Sequence, residues 1–147
     1  MSHRVKVVWE TDGNPFEYKT YTRDHQWHYD GGVSHQASAA ANYAGTPELV
    51  DPEQAFTASL SSCHMLTFLA LAASKGIAVT RYEDDAEGFL EKNESGIPAM
   101  TRVVLRPKIQ FDGEIPSAEV LDRLHHRAHK GCFIANSVTT KIDVEPV

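Results

Sequence analysis

Apolar and polar residues alternate in Arg4-Val-Lys-Val-Val-Trp-Glu10, which places Val5, Val7 and Trp9 on one face and predicts a strand. Thr11-Asp-Gly-Asn-Pro15 then reads as a turn. Residues 18–29 are rich in aromatics and predict one or two strands around Arg23-Asp24-His25. Residues 31–49 are small, polar and without a period, and are expected to form a surface loop. That loop is long for a connection, which suits a functional or interface role.

The pattern changes at Asp51. From Ala55 to Ala73 there is no Asp, Glu, Lys or Arg. Asp51 suits an N-cap, Pro52 the first helical position and Gln54 the third residue of a capping box. Lys75 and Gly76 supply the stop. A run this apolar must be tested as a membrane span. Thr57, Ser59, Ser61, Ser62 and His64 crowd its first half and argue against that. A helix apolar on most sides is instead expected to be buried by its own fold or by a partner subunit.

Residues 77–91 and 100–111 predict two strands joined by a turn over 92–98. In the second, Val103, Leu105, Ile109 and Phe111 face one way and Arg102, Arg106, Lys108 and Gln110 the other, as in a half-buried antiparallel strand. Pro107 places it at an edge or a bulge. A second helix is expected from Ser117 to about Lys130, with Val120, Leu121 and Leu124 as its apolar face and Gly131 past its end. A last strand carries Val138, Thr140, Ile142 and Val144 inward. The order predicts a single α+β domain over 1–147, with helices packed on antiparallel sheet.

Composition narrows the function classes. The 147 residues are 41% hydrophobic and carry a net charge of −6, from 14 Lys+Arg against 20 Asp+Glu. An acidic chain without a basic run argues against nucleic acid and against an anionic membrane surface. No signal-peptide pattern opens the sequence, so a cytoplasmic location is expected. Two cysteines there are more often reduced, catalytic or metal-binding than a structural staple.

Those cysteines have different settings. Cys63 lies inside the uncharged helix and Cys132 follows the His-rich one, in His129-Lys-Gly-Cys-Phe-Ile-Ala-Asn136. Two thiols are the smallest set for cysteine redox chemistry. A thiol at a helix C-terminus meets the negative end of the dipole, which suits a resolving role better than an attacking one.

The stretch Val50-Asp-Pro-Glu-Gln-Ala-Phe-Thr-Ala-Ser-Leu-Ser-Ser-Cys-His-Met65 resembles the OsmC/Ohr proteins, named for osmotic inducibility and organic hydroperoxide resistance. So do Ala128-His-Lys-Gly-Cys-Phe-Ile-Ala-Asn-Ser-Val138, the spacing of the two thiols and, more weakly, Tyr21-Thr-Arg-Asp-His-Gln-Trp27 of an OsmC-like branch. The resemblance covers nearly the whole chain. It implies an intertwined homodimer, with two central helices packed between antiparallel sheets and the active sites at the subunit interface. It also implies a thiol peroxidase without cofactor, reducing organic hydroperoxides and regenerated by a thiol reductant such as a dithiol or a lipoylated protein. By the same resemblance Cys63 attacks the peroxide, Cys132 closes a disulfide with it, and Glu53 and an arginine complete the site.

That arginine would sit in the family's loop after the first strand, but Thr11 to Tyr18 holds none, and Arg23 is the nearest candidate. A guanidinium favours thiolate, orients the peroxide and stabilises the leaving oxygen, and a carboxylate such as Glu53 can hold it in a bidentate pair. Phe56, Leu60, Met65 and Leu66 would form an apolar wall favouring alkyl or lipid hydroperoxides. Other readings of the same residues are packing for Cys63, dipole complementation for Glu53 and ordinary turn charges for Arg23-Asp24-His25. Cys63, His64, His129 and Cys132 also invite a zinc site, but neighbours on a helix point about 100° apart and the histidines lack ligand spacing, so no metal is expected. The remaining alternative is a non-catalytic dimer that holds a small apolar ligand.

Overall fold

The computed structural model describes residues 1–147. The chain divides into two compact units, Met1–Ala55 and Phe56–Val147.

The first unit is built on an antiparallel sheet of β1 (Val5–Val8), β2 (His25–Tyr29) and β3 (Ser34–Ala37), in that order. β3 lies where a loop was expected. Its sequence, Ser-His-Gln-Ala, has no apolar alternation, and pairing carries it instead: Trp27 stands opposite His35 and their rings are 5.3 Å apart. The chain after β3 is not a loose surface loop either. Ser38 is fully buried and donates to Asp24, which also accepts from the Thr46 hydroxyl at 2.7 Å. The Ser38 N–H donates to the Val50 carbonyl, so this loop delivers the chain to Asp51 along a fixed path. A side chain on Gly45 would fall on the Ala39 carbonyl, so only glycine fits there.

Helix α1 (Pro52–Ser74) starts as its sequence dictates. The Gln54 N–H donates to Asp51 Oδ1 at 2.7 Å, and the Asp51 N–H donates back to Gln54 Oε1 at 3.2 Å. It ends with Gly76 at φ 69°, and the Ile77 N–H reaches back to the Ala72 carbonyl. Within the second unit Thr57, Leu60, His64, Phe68 and Ala72 form its buried stripe. The opposite stripe, Ala58, Ser62, Leu66, Ala70 and Ala73, is exposed and uncharged.

The two long strands expected after α1 each break in two. β4 (Val79–Asp84) pairs with β7 (Pro107–Phe111), while β5 (Glu87–Lys92) pairs with β6 (Pro98–Leu105). The breaks fall at Asp85-Ala86 and at Arg106, beside a proline that cannot donate to a ladder. Asp84 secures the crossing, accepting the Arg106 N–H at 2.6 Å and the Ser61 hydroxyl at 2.5 Å. β6 ends buried on both faces, with Val103, Val104 and Leu105 at most 1% exposed, rather than half-buried as its pattern suggested. β8 (Lys141–Val144) adds to β6 in parallel, so the sheets are not wholly antiparallel.

Leu60 packs with Val103 and Leu105 in one core, while Phe68 and Ala72 pack with Leu124 and Ala128 in a second. The last two belong to α2 (Ala118–Gly131), whose N-cap Ser117 accepts the Val120 N–H. Gly131 is its last residue rather than the first beyond it. Gly88 brings β5 under the first core, because a side chain there would collide with the Thr57 hydroxyl and, at 2.6 Å, with Met100 Cε.

Between α1 and α2 lies a buried imidazole pair. His64 and His125 are 1% and 6% exposed, and His64 Nε2 is 3.1 Å from His125 Nδ1. Burial, with His125 and His129 nearby, lowers the His64 pKa from 6.5 to about 4. Burial lowers that of His125 as well, against the upward pull of Asp122 and Asp84. The fold therefore favours the neutral rings. Their stabilising effect is complete above the ordinary value of 6.5 and is lost as pH falls toward 4. For His64 this amounts to on the order of 3 kcal/mol. Urea midpoints measured from pH 7 to pH 4 should fall steeply, and a His64→Leu/His125→Leu variant should show a shallower acid limb. Equal slopes in both proteins would assign acid sensitivity to other groups.

Candidate active site

The two thiols meet where α1 passes the C-terminal end of α2. Cys63 is half-buried, one residue along from the buried stripe of α1, and its carbonyl accepts the Thr67 hydroxyl at 2.8 Å. Cys132 is the C-cap of α2 and only 1% exposed. The protein is in its dithiol form, and Cys63 lies near enough to Cys132 to act on its thiol.

Burial pushes the Cys132 thiol up to about 11, and the neighbouring Cys63 thiol pushes in the same direction. The turn after α2 works against this. The Ala135 N–H points at Cys132 Sγ from 3.3 Å, and that of Ile134 also acts on the sulfur. Cys132 thus keeps its proton at neutral pH. The helix dipole argument reached the same state, but enclosure and the neighbouring thiol are its main causes. The enclosed sulfur has no route to a bulky reagent, whereas Cys63 retains some open surface.

Arg23 lies in the first unit. Its Nη1 donates to the Tyr21 carbonyl at 2.5 Å and its Nη2 to the Tyr18 carbonyl at 2.6 Å, with the guanidinium 3.7 Å from the Tyr21 ring centre. It clasps its own loop, where Trp9, Phe16 and Tyr21 cluster and the Trp9 ring N–H donates to the Thr22 carbonyl. It forms no salt bridge with Asp24, whose carboxylate is engaged by Ser38 and Thr46. Glu53 stands in the first turn of α1, where its charge complements the dipole.

The expected apolar wall is distributed. Leu60 is enclosed in the core and has no surface to offer a ligand, and Phe56 packs against the same core. Met65 is half-buried and Leu66 is 59% exposed. No group of three His, Cys, Asp or Glu side chains is arranged to hold a metal ion. The feature that sequence reasoning missed is the His64–His125 pair. Its one visible signal was His64 recurring with Leu60 and Phe68 at four-residue spacing.

The chain is similar to known proteins along its length. Residues 45–147 match the family model for OsmC-like proteins. An OsmC-like protein of unknown function from Vibrio cholerae is 43% identical, with a TM-score of 0.95 over 100% of this chain and 99% of that one. The organic hydroperoxide resistance protein of Bacillus subtilis has the same fold at 20% identity, with a TM-score of 0.71 over 100% and 98% of the two chains. That of Elizabethkingia anophelis, with a crystallant-derived thiocyanate bound, gives 18% and 0.73 over 99% and 94%. No curated protein matches the chain in sequence. The family match over most of the length, joined to near-superposition on a relative of 43% identity, makes this chain a member of the OsmC-like protein family.

Proposed function

We propose that the protein is a cysteine-based reductase of organic hydroperoxides. The observation that carries this reading is a partly open Cys63 close enough to an enclosed, protonated Cys132 to act on its thiol. The Cys63 thiolate attacks one peroxide oxygen, the O–O bond breaks, and the alkoxide leaves as alcohol on gaining a proton. Cys63 is then a sulfenic acid. The Cys132 sulfur displaces its hydroxyl, the thiol proton leaves with that hydroxyl as water, and a disulfide remains. An external dithiol, free or carried on a lipoylated protein, restores both thiols by exchange. In this reading Arg23 supplies the guanidinium and Glu53 its carboxylate anchor, as the family resemblance implies. The cytoplasm would supply the reducing surroundings.

The exposed stripe of α1 bears on the assembly. Ala58, Ser62, Leu66, Ala70 and Ala73 carry no charge, and α1 is long and apolar enough to cross a membrane by length and composition alone. A second copy covering that stripe accounts for it without a membrane, burying on the order of 2,000 Å² or more. The competing reading, a dimer that binds a small apolar ligand without turnover, is favoured by one observation: the Arg23 guanidinium is engaged by the Tyr18 and Tyr21 carbonyls.

Cys63→Ser should abolish dithiol-dependent consumption of an organic hydroperoxide such as cumene hydroperoxide. Cys132→Ser should instead stop at sulfenic acid on Cys63 after one equivalent of hydroperoxide, and a second equivalent should carry it to sulfinic acid, read by mass spectrometry. Substantial turnover by Cys63→Ser would sink the assignment, and an inert wild type would favour the binding reading. Arg23→Ala is expected to lose about a hundredfold in rate, while Arg81→Ala on an exposed strand face loses little. Equal rates in the two variants would remove Arg23 from the chemistry. Sedimentation should show a dimer at micromolar concentration, and a stable folded monomer would refute the proposed cover for α1.

A further inference from the structure

The His64–His125 pair has no role in the chemistry above, yet it is a costly arrangement. Two imidazoles are buried in a layer otherwise made of Phe68, Ala72, Leu124 and Ala128. His64 Nδ1 is enclosed with no partner at all. Apolar side chains of similar size would fill this space at lower cost. An apolar layer alone, however, is non-directional and accepts more than one register between helices. A hydrogen bond inside it accepts one.

The direction of the bond depends on the tautomer of each ring, and one assignment suits the surroundings best. Asp84 on β4 and Asp122 on α2 act on His125, and His129 on α2 acts on His64. A proton on His125 Nε2 suits the carboxylates, which leaves Nδ1 as the acceptor. His64 then donates from Nε2, and its orphaned Nδ1 carries only a lone pair rather than an unpaired N–H. The Phe68 ring, 4.6 Å from that of His125, closes the α1 side.

This bond lies beside the thiols in sequence on both helices. Cys63 and His64 are neighbours on α1. Their partners, Cys132 and His125, are seven residues apart along α2, about two turns or 10 Å. Two contacts so spaced define both the sliding and the crossing of one helix on the other. A third close approach occurs one turn further along α1, since a side chain on Gly131 would come within 3.1 Å of the Thr67 methyl.

We propose that the His64–His125 hydrogen bond pins α2 against α1 in the one register that brings Cys132 to Cys63, so that both histidines are positioning residues for exchange between the thiols. The inference rests on the dithiol reading above and adds to it what holds the thiols together. The imidazoles spend their hydrogen bond on each other, so neither is a catalytic group.

The test is the effective concentration of the dithiol, measured as the equilibrium of the intact protein with reduced and oxidised glutathione. A His64→Leu/His125→Leu variant replaces the pair with apolar side chains and is expected to stay folded. It should nevertheless lose about tenfold or more in effective concentration, because small displacements carry large penalties in intramolecular reactions. The first oxidation of Cys63 by hydroperoxide should remain within about twofold of wild type, since that step needs no second thiol. His125→Gln, which keeps a hydrogen-bonding side chain, should recover part of the loss. A folded double variant with a shifted melting temperature but a smaller fall in effective concentration would overturn the proposal, leaving the pair a packing feature. Failure of the double variant to fold would overturn it too, making the pair a requirement of the fold. The glutathione equilibrium needs no peroxide, so a wild type inert to hydroperoxide would refute the peroxidase reading while leaving this one intact.

Discussion

The carboxylate of Asp84 is the point on which the second unit turns. It accepts a backbone N–H at the break between β6 and β7 and a hydroxyl from α1. A straight hairpin of this length would expose one face to water along its whole course. Broken at Arg106 and Pro107, it becomes two short sheets that can each close on a different part of α1. Ser61, the helix residue that Asp84 holds, is two positions before Cys63. The same carboxylate therefore ties the bend in the sheets to the placement of the thiol.

Where local chemistry decides structure, the sequence is legible. The Asp51–Gln54 box, the Gly76 stop and the Ser117 cap each need only residues within one turn, and each is present as expected. Where distant partners decide, the sequence is silent. β3 has no pattern of its own and exists because β2 lies beside it. The break in the hairpin follows from one carboxylate finding one N–H across the sheet, a contact about twenty residues away in sequence. The parallel pairing of β8 with β6 depends on where α2 returns the chain. In the site, the two motifs suggested that the thiols belong together, but not what presses them together. His64 looked like a residue merely turned away from Cys63, and its partner was one of several histidines in the helix before Cys132.

The dithiol illustrates how position divides labour between identical groups. Both cysteines end in the same functional group, yet one has a path to solvent and the other is sealed beneath the turn that follows α2. Enclosure outweighs the two backbone N–H groups directed at the Cys132 sulfur, and the thiol stays protonated. The membership shown by the comparisons gives the fold, while the difference between the thiols comes from this chain's own packing.

In the proposed cycle that enclosure would also govern the reverse reaction. In a disulfide between the two, an incoming reductant must attack the sulfur it can reach, which is that of Cys63, and the sulfur released is then that of Cys132. A thiol whose proton is bound so tightly is a poor leaving group, because exchange slows as the departing thiol becomes more basic. The Ala135 N–H, which points at that sulfur, and the Ile134 N–H, which also acts on it, would become important at that moment, when negative charge appears there. In that cycle the short turn after α2 would ease the departure of one particular thiolate, while its enclosure would send external thiols onto the other.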